Sequence, residues 1–372
     1  MNGNGDRPYQ YWLMNVKGTG KKRKISLLQK LGSAEEIYRA KQEVLSAAIG
    51  EAAAEKMQEA KKGWNILEEY EKLCRRKINF TCHGDRDYPG RLTEIPDAPF
   101  ALYYQGHLPS DKVPAVAIIG ARACSEYGIY AAREFGSKLA EMGIQIISGL
   151  AMGIDGIAQE AALAAGGQSF GILGCGVDIC YPKSNRHLCE KCKRQGGIIS
   201  EYPPGTEPKA ALFPPRNRII SGLSDLVVVV EAREKSGTLI TVDMALEQGR
   251  EVLAVPGRIT DSLSRGCNSL FRQGAGVAVS PLDIVEALSG LRHSINIEET
   301  AKESGDFLRR LSVREKQVYE QLEILPKTPE EIWRKTDMTL TIQEVMGSLV
   351  ELCLKGAAEA RPDGYCQKVL AS

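Results

Sequence analysis

The sequence predicts an α/β protein: a mainly parallel, twisted sheet between a helical N-terminal part and a small C-terminal one. Three observations carry that expectation. From residue 115 to residue 290, short apolar runs alternate with amphipathic stretches, the pattern of βαβ units. The run Asp225-Leu-Val-Val-Val-Val230 has no polar side chain after its first residue, which suits a strand buried on both faces. Polar, glycine-containing turns follow four of the apolar runs, where strand should give way to helix on the carboxyl edge of a sheet.

Residues 1–110 read as a helical domain with a connector. In it, Met14-Asn-Val-Lys-Gly-Thr-Gly-Lys-Lys-Arg-Lys-Ile-Ser-Leu-Leu-Gln-Lys-Leu-Gly32 resembles a SAM or helix-hairpin-helix unit. Gly18 and Gly20 permit a tight turn, and its amides with nearby lysines can hold a DNA phosphate. Ile78 to His83 reads as a strand, and Ile95-Pro-Asp-Ala-Pro-Phe100 as a proline-punctuated connector.

Residues 111–290 form the sheet domain. Strands are expected at 115–119, 144–147, 168–173, 197–200, 225–230, 251–255 and 276–279. Helices are expected at 127–142, 154–165, 184–194, 238–248, 265–273 and 282–288. Right-handed crossovers would cover both faces. Residues 291–307 are polar and charged and read as a linker. Residues 308–372 have a winged-helix outline, with helices at 313–322, 329–336 and 341–355 and a hairpin around Arg361-Pro-Asp-Gly364. The third of these helices carries two acids and one lysine, which favours a structural or protein-contact role over duplex binding.

Composition bounds the functional classes. The 372 residues carry a formal net charge of +1, so a nucleic-acid surface has to be a local patch. Ten cysteines in no regular framework indicate reduced thiols and a cytoplasmic protein, and no run approaches membrane-spanning length. Four scattered histidines offer no triad. Cys175, Cys180, Cys189 and Cys192 lie close together with His187, yet they straddle a strand exit and a helix rather than a metal-binding knuckle, so no metal and no cofactor is expected.

Positive charge and small residues recur at the four turns. Gly120-Ala-Arg122 ends the first core strand and lacks the glycines of a dinucleotide fingerprint. Ser148-Gly149 ends the second, and Asp155 beyond it reads as a helix cap. Lys183, Asn185 and Arg186 follow Tyr181-Pro182 after the third. Lys235-Ser-Gly-Thr238 follows the 225–230 run, with Ser236, Gly237 and Thr238 at a helix start. Before that run, Phe213-Pro-Pro-Arg-Asn-Arg218 sets Arg216, Asn217 and Arg218 in a stiff frame where a helix is expected to begin and its free amides could meet phosphate. Together the turns outline a groove that tracks phosphates, with Phe213 and Tyr181 as candidates for stacking on bases.

These motifs, with Gly174-Cys-Gly-Val-Asp178, Ser200-Glu-Tyr-Pro203 and Val255-Pro-Gly257, resemble in order those of the DNA-processing protein A family (DprA, also called Smf). The resemblance implies an extended Rossmann-like core that binds single-stranded DNA, helps load the RecA recombinase during natural transformation, dimerises through that core and is not an enzyme. It carries the DNA-binding role to Arg122, Lys183, Arg216, Asn217 and Arg218, with Ser148-Gly149 and Ser236-Gly-Thr238 in the same pocket. The competing reading is a nucleotide phosphoribohydrolase of the lysine-decarboxylase-like class. Its motif needs a glutamate where this chain has Thr241, so the acid–base group is missing.

Overall fold

The computed structural model describes residues 6–291, 311–322, 327–336, 339–355, 357–361 and 364–367. Six helices open the chain: α1 (Arg7–Asn15), α2 (Lys21–Leu31), α3 (Ala34–Arg39), α4 (Gln42–Ile49), α5 (Glu51–Lys62) and α6 (Ile66–Arg75). Strand β1 (Asn79–Cys82), the short α7 (Gly90–Thr93) and β2 (Ala101–Gly106) follow. The core then alternates β3 (Ala115–Ile119), α8 (Glu126–Glu141), β4 (Gln145–Ser148), α9 (Ile154–Ala164), β5 (Ser169–Leu173), α10 (Arg186–Gln195) and β6 (Gly196–Ser200). It continues through α11 (Phe213–Gly222), β7 (Leu226–Val229), α12 (Gly237–Glu247), β8 (Glu251–Ala254), α13 (Arg265–Phe271), β9 (Gly276–Val277) and α14 (Pro281–Leu291).

One nine-stranded sheet runs β1-β2-β6-β5-β4-β3-β7-β8-β9. The seven strands β3 to β9 are parallel, and β2 joins β6 antiparallel, with Tyr103 opposite Ser200. The strand β2 was not expected. Its run Ala-Leu-Tyr-Tyr-Gln-Gly follows two prolines, and only pairing with β6 reveals it as part of the sheet. The sheet therefore extends across the boundary expected near residue 110.

Two apolar layers cover the sheet faces, one including Ile147, Phe170, Ile219 and Val229, the other Val116, Phe135, Ile154 and Val228. A third cluster joins the N-terminal helices to β1 and β2 through Tyr11, Trp12, Phe80 and Tyr103, and it also holds Cys175, Cys189 and Cys192. Those thiols serve as small apolar packing groups. Burial pushes Cys175 up to about 11 and Cys192 up to about 12, so both are neutral near pH 7. Among the described residues no group of three or more His, Cys, Asp or Glu is placed to hold a metal ion. None of their helices is long and apolar enough to cross a membrane.

At the carboxyl-terminal end, α15 (Val313–Tyr319), α16 (Pro329–Lys335) and α17 (Ile342–Leu354) precede the antiparallel strands β10 (Ala358–Arg361) and β11 (Gly364–Gln367). Each helix opens on a capping box: Ser312 with Glu315, Thr328 with Glu331, Thr341 with Glu344. Nearly all of the expected linker, 292–307, lies outside the described residues, as do the hairpin residues Pro362 and Asp363.

A buried ion pair ties the connector to the core. Arg91 donates to both carboxylate oxygens of Asp225 at 3.0 Å and to the carbonyls of Ser110 and Val113. Asp225 also accepts from the Ala115 amide. Arg91→Ala strands that carboxylate and is expected to cost about 3–5 kcal/mol. The check is calorimetric unfolding, with a fall in Tm on the order of 10 °C; a change within a degree or two would overturn this assignment.

Candidate nucleic-acid interface

The crossovers reverse direction between β3 and β7, so their loops part and leave a crevice at the carboxyl edge, where open α/β sheets take ligands. The cleft there has a volume of about 450 Å³. Gly120 and Arg122 line it from the β3 exit; Phe213, Arg216 and Asn217 from α11; Ser236, Gly237, Thr238 and Thr241 from the start of α12. Tyr181 lines it as well, and Gly149 lines a small adjoining pocket that shares Arg122, Tyr181, Phe213 and Arg216 with the cleft.

Phe213 is the centre of this arrangement. Tyr181 stacks on it with ring centroids 5.4 Å apart and 26° between planes. The guanidinium carbons of Arg122 and Arg216 lie 5.9 Å and 6.0 Å from the Phe213 ring centroid. Two cations therefore flank one aromatic shelf, and Tyr181 is 42% exposed, available to a base. At the opposite wall Ser236 caps α12, its hydroxyl accepting from the Thr238 amide at 3.2 Å.

Arg216 is buried and donates to the Gly149 carbonyl at 2.9 Å, while its Nε has no partner. Desolvation lowers its pKa to about 10, with Asp155 opposing, so it keeps its charge near neutrality. Asp155 is buried as well, and desolvation raises its pKa against the pull of Arg216. It does not cap α9, whose N-cap is Gly153. Instead it accepts from the amides of Gly120 (3.3 Å) and Gly149 (3.1 Å), fastening the exits of β3 and β4 to each other. At Gly149 a Cβ would stand 2.8 Å from the Asp155 carboxylate and 2.9 Å from the Arg216 guanidinium, so a side chain there would displace one or both of these groups. At Gly153, with φ +76°, a Cβ would press even more closely on the backbone carbonyls of Ala121 and Arg122, so this position requires glycine.

Several expected site residues stand elsewhere. Ser148 is fully buried, its hydroxyl donating to the Ile118 carbonyl at 2.6 Å. Asn185 braces a neighbouring loop by donating to the carbonyls of Leu150 and Ala151. Lys183, Arg186 and Lys235 are exposed and lie outside the cleft lining. Arg218 points away from Arg216, since two residues along a helix turn the side chain by about 200°. It donates to both oxygens of Glu201 at 2.8 Å, to the Asp97 carboxylate at 3.1 Å and to the Asp97 carbonyl. The α11 start also differs from expectation: the helix begins at Phe213 with Pro214 and Pro215 in its first turn, which removes two of the amides that phosphate could use. Sequence reading missed Thr241 as a lining residue and Asp155 as the fastening group, because only the fold brings Gly120, Gly149 and Asp155 together.

The family model for DNA recombination-mediator protein A matches residues 79–289. This chain belongs to that family. Among family members, the DNA processing protein DprA of Streptococcus pneumoniae is 45% identical over 201 residues, 54% of this chain and 71% of that protein. Protein Smf of Escherichia coli is 39% identical over 285 residues, 75% of this chain and 74% of its own. The X-ray structure of the S. pneumoniae family member covers 75% of this chain and 97% of its own at a TM-score of 0.67 and 34% identity. A Helicobacter pylori family member, whose solved structure concerns its single-stranded DNA binding mode, aligns at a TM-score of 0.51 and 29% identity over 56% of this chain and 95% of its own. The family match begins at β1, so it takes in the antiparallel strands as well as the parallel core.

Proposed function

We propose that this chain binds single-stranded DNA in the cleft between β3 and β7. The observation that carries the reading is the Phe213–Tyr181 shelf flanked by Arg122 and Arg216. A single strand exposes base faces that can stack and phosphates that can meet guanidinium groups, and the cleft offers both. The H. pylori relative, described by its single-stranded DNA binding mode, supports it. Within this reading Arg122, Arg216, Asn217 and the Ser236–Thr238 turn are the contacts, Lys183, Arg186 and Lys235 guide the strand at the rim, and Arg218 positions α11.

The family resemblance extends the proposal to loading of RecA onto the bound strand in transformation and recombination, by a cytoplasmic homodimer formed through the sheet domain. The C-terminal helices and hairpin take the winged-helix-like role of a protein contact, since Glu344 and Glu351 on α17 repel phosphate. Catalysis is disfavoured: among the described residues Asp155 is the one carboxylate lining the cleft, and its oxygens accept from two backbone amides.

The test is binding of labelled oligo-dT and of matched duplex across a salt series. Tight, salt-sensitive binding of oligo-dT with weak duplex binding is expected. Absence of oligo-dT binding together with turnover of a nucleoside monophosphate would replace this reading with the phosphoribohydrolase one.

A further inference from the structure

A second concentration of positive charge lies at the turn between α1 and α2. Gly18 (φ +74°) and Gly20 make the turn, and Gly20 caps α2 without a side-chain hydrogen bond. The helix then opens on Lys21, Lys22 and Arg23 with no acid in its first turn. A helix dipole favours acids there and disfavours cations, so this order works against the stability of α2. From α5, Lys56 reaches over the same turn, its Nζ 3.1 Å from the point a Cβ on Gly18 would occupy.

The cations here also lack the partners found elsewhere in the helical part. Arg39, Lys62, Lys72 and Arg75 each pair with a glutamate of their own helix. Among the described residues, Lys17, Lys22, Arg23 and Lys56 are exposed and have no ion pair. The Lys21 and Lys22 amides have no backbone acceptor, since the first turn's bonds to the Gly20 carbonyl come from Arg23 and Lys24. In the middle of the turn Thr19 is 5% exposed, and its hydroxyl has no hydrogen-bond partner. Unfilled donors and unopposed charge in one turn are the requirements of an oxyanion.

The turn is linked to the cleft by charge. Lys21 Nζ lies 3.9 Å from Asp97, and Asp97 is held by Arg218 of α11, the helix that carries Arg216 and Asn217 into the cleft. We infer that the Gly18–Gly20 turn, with Lys22, Arg23 and Lys56, binds a backbone phosphate of the single strand that the cleft holds. This rests on the cleft reading and adds a second anchor, so the site should be felt only by strands long enough to reach both.

The full-length chain with Lys22→Ala/Arg23→Ala/Lys56→Ala would be measured against wild type on oligo-dT of 6 and of 30 nucleotides across a salt series. Lys62→Ala/Lys72→Ala/Arg75→Ala serves as a control of equal charge change, and circular dichroism checks folding. The expected result is at least a tenfold loss on the 30-mer with little change on the 6-mer. The slope of log affinity against log salt on the 30-mer should fall by about 0.7, the value of one phosphate contact on a single strand. An unchanged slope, an equal loss on both lengths, a loss matched by the control, or a loss confined to duplex DNA would overturn the inference. The 6-mer separates the two readings: wild type that ignores it refutes the cleft, while the 30-mer slope still reports on the turn.

Discussion

Arg122→Ala is expected to weaken oligo-dT binding by about 10- to 100-fold, the value of one charge-assisted hydrogen bond to phosphate. The side chain is exposed, and the pairing that orders it is its approach to Phe213, so its removal leaves no buried group stranded. Thermal stability should therefore stay within about 0.5 kcal/mol of wild type. The salt slope should fall by about 0.7, since one phosphate contact is lost. Affinity for different homopolymers should drop in parallel, because phosphates carry no base identity. Fluorescence anisotropy at four or five salt concentrations measures both quantities. A mutant with wild-type affinity would remove Arg122 from the interface, and an altered base preference with an unchanged slope would assign it to the bases.

Arg218→Ala should behave differently although the same short motif contains it. Its fork fills both oxygens of Glu201 and reaches Asp97, and its side chain is only 12% exposed. Removing it takes the bidentate cation from Glu201, leaves Asp97 only the 3.9 Å approach of Lys21, and loosens α11 against the end of β6. A cost of about 2–3 kcal/mol is expected, visible as a lower Tm. Oligo-dT affinity should fall by about 3- to 10-fold through misplacement of Arg216 and Asn217, and the salt slope should not change. Glu201→Gln separates the roles most sharply. If Arg218 positions α11, that variant weakens binding; if Arg218 is a phosphate contact held in reserve, freeing it strengthens binding. Arg218→Lys should recover little, because an ammonium cannot reproduce the bidentate fork.

The contrast between these two arginines marks the limit of what the sequence conveys. Alternation of apolar runs with amphipathic stretches was enough to predict the parallel core, because burial on both faces forces strands such as Leu226–Val229 to be uniformly apolar. Turn chemistry was enough to predict that Gly120-Ala-Arg122 and Ser236-Gly-Thr238 open on one edge, since every crossover of the same hand returns its strand in the same direction. The order of those motifs also carried the family membership that the match over residues 79–289 shows.

Tertiary structure decided which members of each motif face the cleft. Arg216 and Arg218 are separated by half a helical turn, so one lies beside Phe213 and the other against Glu201, and no local pattern states which. Asp155 reads as a cap in isolation and becomes the fastener of two strand exits only when Gly120 and Gly149 are brought within hydrogen-bond reach. The strand Ala101–Gly106 acquires its identity from β6, nearly a hundred residues later. The physical reason is common to all three. Periodicity and turn preference are properties of a few neighbouring residues, whereas the partner of a guanidinium, a carboxylate or a strand edge is supplied by distant segments and exists only after the chain has packed.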